Sequence, residues 1–202
     1  MRPMKIGLTG GIACGKSTVA AMLVARGAAL VDADQVAREV VMPGEPALAA
    51  VIRQFGQGVR APDDTLDRQA LGKLVFGDRD KLKQLEAILH PAIRERMQAR
   101  LQHYEEENPA RLAVADIPLL YETGQAGLYE GVLVVYIPQK LQVERLLART
   151  PGMTEEEALS RIGLQMDIEE KRKRADWLID NSGSLEETER QVEAFMREAV
   201  IR

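Results

Sequence analysis

The chain has 202 residues, enough for one sizeable core with smaller appendages rather than two full domains. Lys and Arg number 27 against 31 Asp and Glu, a net charge of −4, which excludes a general nucleic-acid or membrane binder because both of those surfaces are anionic. A single cysteine excludes an internal disulfide and fits a reducing cytoplasm.

The chain opens on basic residues before an apolar stretch, superficially like a signal peptide, but Lys16 follows too soon for one. No apolar run approaches the roughly 18 residues of a membrane span. "MKIGLT" (4–9) reads as a buried strand running into a glycine loop. From Ser17 to Arg26 the apolar residues Val19, Ala20, Met22, Leu23 and Val24 support a helix that Gly27 ends. "AALV" (28–31) is a second strand, closed by "DAD" (32–34). The stretch 35–110 then offers no strand. Its segments 46–55, 67–75, 78–89 and 92–107 read as helices, the last striped by Ile93, Met97, Leu101 and Tyr104, with His90-Pro91 as a break. Strands return at 111–116, 131–138 and 176–180. Between the last two, 145–175 is rich in Arg, Lys and Glu and starts a helix with the capping box of Thr154 and Glu157. A second box, Ser184 with Glu187, starts the closing helix.

Unalternating apolar strands separated by helices predict an α/β fold whose parallel sheet is covered on both faces. A simple crossover needs only a dozen or so residues, so 35–110 reads as an inserted helical domain and 145–175 as a lid. The core then comprises 1–34, 111–144 and 176–202.

Residues 10–17, "GGIACGKS", fit the pattern G-x-x-x-x-G-K-[ST] between a strand and a helix. The glycines let the backbone curl so that several N–H groups converge on a phosphate chain, helped by the positive end of the following helix, which makes Gly11, Ile12, Ala13, Cys14, Gly15, Lys16, Ser17 and Thr18 the candidate nucleotide-binding residues. Lys16 reaches the β- and γ-phosphates, and the Ser17 hydroxyl suits Mg²⁺. Nucleotide binding follows.

Three classes of protein use such a loop. A GTPase switch carries a guanine-reading N-K-x-D, which this chain lacks, and its formal D-x-x-G (180–183) sits about 165 residues beyond the loop. A motor or transporter ATPase is usually larger. A small-molecule kinase needs a base on the acceptor, a helical acceptor-binding insert and an arginine-bearing lid, and each has a candidate. Asp34 opens the insert at the carboxyl edge of the sheet and is the choice for the base. Asp32 reads as the cap of the following helix. Asp116 suits two roles equally, holding a Mg²⁺-bound water or ending its strand. Arg145 and Arg149 share a helix face and suit the transferring phosphoryl group, followed by Arg161, Lys171, Arg172 and Arg174; a solvated face beside Glu144 and Glu155–Glu157 is the competing reading.

Together the motifs resemble one family, the dephospho-CoA kinases. The matching pieces are "LTGGIACGKST" (8–18), "VDAD" (31–34), "PGEPAL" (43–48), "LDRQALGKLVF" (66–76), "LHPAIR" (89–94), "DIPLLYE" (116–122), "VLVVYIP" (132–138) and "RIGLQMDIEEKRKRADWLIDNSG" (161–183), in family order almost from end to end. The resemblance implies a P-loop kinase core of five parallel strands, a helical CoA-binding domain and a lid. It implies transfer of the γ-phosphate of ATP, with Mg²⁺, to the ribose 3′-hydroxyl of dephospho-CoA, the last step of coenzyme A synthesis. It assigns the base to Asp34 and acceptor binding to the insert and "PLLYE", making Arg68, His90, Leu119 and Glu122 candidates. His90 serves equally well as a helix break before Pro91. Adenine is expected near Asn181 and Gly183. The partner implied is the small-molecule acceptor, with neither nucleic acid nor membrane, for a cytoplasmic monomer or weak homo-oligomer. The loop departs from the usual family form, which has Gly and Ser where this chain has Ala13 and Cys14; both replacements are small and keep their N–H donors. Cys14 reads as a small residue that a tight loop tolerates, without a catalytic role; its position beside Lys16 and a helix N-terminus offers a lowered thiol pKa as the alternative.

Overall fold

The computed structural model describes residues 4–201; residues 1–3, which the expected core includes, and Arg202 lie outside it. Five strands form one sheet: β1 (Lys5–Gly10), β2 (Ala29–Asp32), β3 (Ala113–Asp116), β4 (Gly131–Tyr136) and β5 (Trp177–Asp180), in the order β2-β3-β1-β4-β5. β1 pairs in parallel with β3 and β4, and β4 with β5. β3 and β4 are buried at every residue, which is why their sequences run apolar without alternation. The register sets Leu8 against Asp116 and Gly10 against Val135, so the phosphate-loop sequence leaves the sheet between two buried neighbours.

The chain divides into two compact units, Met1–Val31 with Leu101–Arg202, and Asp32–Arg100. The expected boundaries were 34/35 and 110/111, with a separate lid; in the observed division 145–175 counts with the first unit.

In the first unit, α1 (Lys16–Ala25) and α9 (Leu185–Ile201) share a core with the sheet, where Val19, Leu23, Val192 and Phe195 meet Ile6, Leu8, Leu133 and Val135. The Ser184 box is formed, Glu187 N–H donating to Ser184 Oγ at 3.2 Å and Ser184 N–H to Glu187 Oε2 at 2.8 Å. The expected lid segment begins inside α6 (Gln139–Arg149) and continues through α7 (Glu155–Gly163) and α8 (Ile168–Arg174). The capping box of Thr154 and Glu157 starts α7. Ala158 and Ile162 of α7 pack on Val143 and Leu146 of α6, with loop residues Ile12 and Ala13 against the same cluster.

The second unit holds α2 (Ala33–Glu39), α3 (Pro46–Phe55), α4 (Arg68–Val75) and most of α5 (Arg79–Glu107). Its core joins Val51, Val59 and Leu71 to Leu85, Ile88 and Leu89. Arg96 donates to Glu45 at 2.8 Å, and Arg100 pairs with Glu39. An isolated bridge between Arg60 and Leu66 is its only β pairing among the described residues apart from the end of β2. The helices expected over 78–89 and 92–107 are one, running through Pro91. An interior proline gives up a hydrogen bond and costs about 3 kcal/mol. Apolar side chains on both sides of it, Leu85 to Leu89 before and the buried Met97 and Leu101 after, offset that loss. The helix that Asp32 was expected to cap is α2, and Asp32 is its N-cap: its Oδ1 accepts from Asp34 N–H at 2.7 Å and Gln35 N–H at 3.2 Å.

Candidate active site

The loop leaves β1 at Gly10 and enters α1 at Lys16, and its shape depends on two left-handed residues. Gly15 caps α1 with φ 82°, and a Cβ there would lie 2.2 Å from the Asn181 amide nitrogen, so only glycine fits. Ala13 takes φ 62°, a region that favours glycine, at the position where the usual family form has one. Cys14 turns inward. Its Sγ lies where a Cβ on Gly10 would come within 2.5 Å, and its N–H donates to Gly11 O at 3.2 Å. Burial pushes the thiol pKa up, outweighing the lowering by the Lys16 N–H and ammonium. Cys14 is therefore the small residue that the tight loop was expected to tolerate, packed and buried beneath it, and the alternative of a lowered thiol pKa is corrected.

Lys16 Nζ donates to Asp116 Oδ1 at the end of β3, which places a buried carboxylate at the mouth of the loop. Asp116 thus ends its strand, one of its two expected roles, and in addition holds the phosphate-loop lysine. Ser17 and Thr18 are exposed in the first turn of α1. No group of three or more His, Cys, Asp or Glu able to hold a metal occurs among the described residues. The exposed Ser17 hydroxyl is an oxygen donor of the kind that suits Mg²⁺, which keeps much of its water and is bound through few protein oxygens plus substrate phosphates.

Behind the loop, side chains of the last third of the chain hold its backbone. Gln142 Nε2 donates to Ile12 O at 2.8 Å, while Gln165 Oε1 accepts from Ile12 N–H at 2.8 Å. Asn181 Nδ2 donates to Cys14 O at 2.8 Å, and its Oδ1 accepts from Thr188 Oγ1 at 2.8 Å. Arg145 Nη2 donates to Asn181 O at 2.8 Å, and Arg145 Nη1 stands 3.8 Å from where a Cβ on Gly15 would be. Lys171 is wholly buried, and its ammonium has three acceptors, Gly10 O and Pro118 O at 3.1 Å and Glu122 Oε1 at 2.9 Å. Glu122 also accepts from Met166 N–H at 2.8 Å. Desolvation raises the Glu122 pKa, but these hydrogen bonds outweigh it and hold the carboxyl below its ordinary 4.5.

Of the expected residues, the structure brings together the loop, Arg145 and Asn181, with Glu122 tied in through Lys171. Arg149 ends α6 exposed, and Gly183 sits against Glu187, whose Oε2 would be 2.1 Å from an added Cβ. Leu119 is exposed. In the other unit, Asp34 and Arg68 lie in the first turns of α2 and α4 and His90 within α5, all three exposed. The basic run divides as well: Lys171 is buried, Arg172 lies over the Tyr136 ring at 4.8 Å, and Lys173 pairs with Glu170 at 2.7 Å. Gln142, Gln165 and Thr188 escaped sequence reading. Gln142 had a signal, a polar residue on the face of α6 that buries Val143 and Leu146; Gln165 had none.

A family model described as dephospho-CoA kinase matches residues 4–187. A dephospho-CoA kinase of Shouchella clausii is 50% identical over 94% of this chain and 95% of its own. One of Symbiobacterium thermophilum is 49% identical over 96% of this chain and 80% of its own. A solved structure from Thermus thermophilus is 41% identical, covers 98% of both chains and superposes with a TM-score of 0.80.

Proposed function

The chain belongs to the dephospho-CoA kinase family, and on that premise we propose which of its residues carry the reaction. The reaction is ATP-dependent phosphorylation of the ribose 3′-hydroxyl of dephospho-CoA, the last step of coenzyme A synthesis, with Mg²⁺ as the partner ion. Loop N–H groups and Lys16 hold the β- and γ-phosphates. Asp116, on the Lys16 ammonium, keeps that charge at the loop mouth. The Ser17 hydroxyl is the protein's ligand for Mg²⁺, which when bound neutralises charge on the phosphates. Arg145, half-buried beside Gly15, adds a fixed positive charge along the phosphate chain, and Arg149 is a second candidate. Adenine is assigned to the region of Asn181 and Gly183.

Asp34 takes the proton from the acceptor hydroxyl. Phosphoryl transfer through a loose transition state asks mainly for positioning and a late proton sink, which a carboxylate supplies. The insert 35–110 binds the acceptor, with Arg68 and His90 as contacts and Leu119 and Glu122 contributing from "PLLYE"; 145–175 acts as a lid. With its net charge of −4, we read the protein as a cytoplasmic monomer or weak homo-oligomer that engages neither nucleic acid nor membrane. No helix among the described residues is long and apolar enough to cross a membrane.

The observation that carries these assignments is the loop itself, with Lys16 on Asp116 at its mouth and its carbonyls held from behind. ADP release measured against a panel of hydroxyl acceptors tests them. Release with dephospho-CoA alone supports the reading, and release with a nucleoside or sugar instead contradicts it.

A further inference from the structure

We propose that Gln142 is a positioning residue for the phosphate cradle, holding the Ile12 carbonyl from behind so that the Ala13 N–H is aimed at the phosphates. The loop shows an alternation. The carbonyls of Gly10, Ile12 and Cys14 each receive a side-chain nitrogen, from Lys171, Gln142 and Asn181, at 3.1, 2.8 and 2.8 Å. In a planar trans peptide the C=O and the following N–H point in opposite directions. Fixing these three carbonyls therefore turns the N–H groups of Gly11, Ala13 and Gly15 away from the side chains behind. No protein acceptor meets the N–H of Ala13 or Gly15 among the described residues.

Gln142 is the member of the three whose presence folding alone does not explain. It is 1% exposed, and its Oε1 meets no donor among the described residues, an arrangement that costs stability. Lys171 has three acceptors and Asn181 is bonded at both ends of its amide, so each also ties the fold together. A methionine at 142 would fill similar volume without the orphaned oxygen, while leaving the Ile12 carbonyl without its side-chain donor. Space for the amide is kept by Gly11, where a Cβ would fall 2.2 Å from Gln142 Nε2. The glutamine thus leaves one buried oxygen without a donor and holds one loop peptide in one orientation.

The test is Gln142→Met in the full chain, titrated calorimetrically with ADP and with adenosine, alongside a thermal melt. Loss of one aimed N–H should weaken ADP by about 5- to 10-fold, leave adenosine unchanged, and leave Tm within about 3 °C, because removing the orphaned Oε1 offsets the stranded Ile12 carbonyl. Equal weakening of both ligands, no weakening of ADP, or a Tm several degrees lower would each overturn the proposal, the last by showing that the residue serves the core. The inference rests on the loop holding the nucleotide's phosphates, which the wild-type protein tests separately. Equal wild-type affinity for ADP and adenosine would overturn that reading, and this one with it.

Discussion

The phosphate loop and the helical insert solve opposite problems. In the loop, the structure's own groups are paired: Lys16 on Asp116, Lys171 on three acceptors, Asn181 bonded at both ends of its amide. In the insert, ion pairs such as Arg96 with Glu45 bind helix to helix, while the assigned residues Asp34, Arg68 and His90 stand exposed with no side-chain partner among the described residues. A polyanion held by backbone N–H groups needs a scaffold stiffened before it arrives. A base and acceptor contacts need free lone pairs and charges. The difference teaches that the two kinds of site residue leave different traces, side chains bonded to the backbone they hold in one region and exposed, unpaired side chains in the other.

The largest effect should come from Lys16→Ala, which removes the cation at the loop mouth and should cut kcat by about 1,000-fold, read by ADP release at saturating substrates. Turnover near normal would break the loop's side of the comparison. Asp34→Asn comes next, with kcat down about 100-fold and ATP affinity held within about twofold. A matching loss of ATP affinity would show that Asp34 belongs to the nucleotide's scaffold. Lys171→Met strands Glu122 and two carbonyls, and should cost about 3 kcal/mol in a denaturant melt. Adding Glu122→Gln to it should recover part of that loss.

Glu122 sharpens the contrast through pH. Its carboxyl is held below 4.5, so the stability it contributes is fully present above that value and is lost as pH falls through its lower native one. Glu122→Gln should therefore flatten the acid limb of the Tm–pH curve, and an unchanged limb would show that the Lys171 pair adds nothing. The smallest effects on stability belong to the insert: Arg68→Ala and His90→Ala should each move it by about 0.5 kcal/mol or less while raising KM for dephospho-CoA.

The same asymmetry explains what could be read from sequence. The strand, loop and helix around Gly10–Ser17 were legible because phosphate binding demands particular residues at fixed spacing in one short segment. Both capping boxes were legible for the same reason. The backing roles were not, because Gln142, Gln165 and Asn181 lie well over 100 positions from the carbonyls or N–H they hold, and the one local mark, a polar Gln142 on the buried face of α6, does not say what it bonds. Pro91 misled in the other direction: a local breaker was overridden by apolar packing on either side. For Cys14 the packing role was legible, whereas the alternative of a lowered pKa weighed the nearby Lys16 against no knowledge that the thiol turns into the core. Arg68 and His90 came from family resemblance alone, since an exposed unpaired side chain has no pattern that announces its ligand.

The division between a pre-paired nucleotide scaffold and an open acceptor site is tested most directly by a cross-measurement. ADP affinity and KM for dephospho-CoA are determined for Gln142→Met and for the Arg68→Ala/His90→Ala double variant. The account predicts separate columns: the loop-backing variant weakens ADP alone, and the insert variant raises KM for the acceptor by about tenfold with ADP affinity unchanged. An insert variant that weakened ADP as much as it raised the acceptor KM would contradict it.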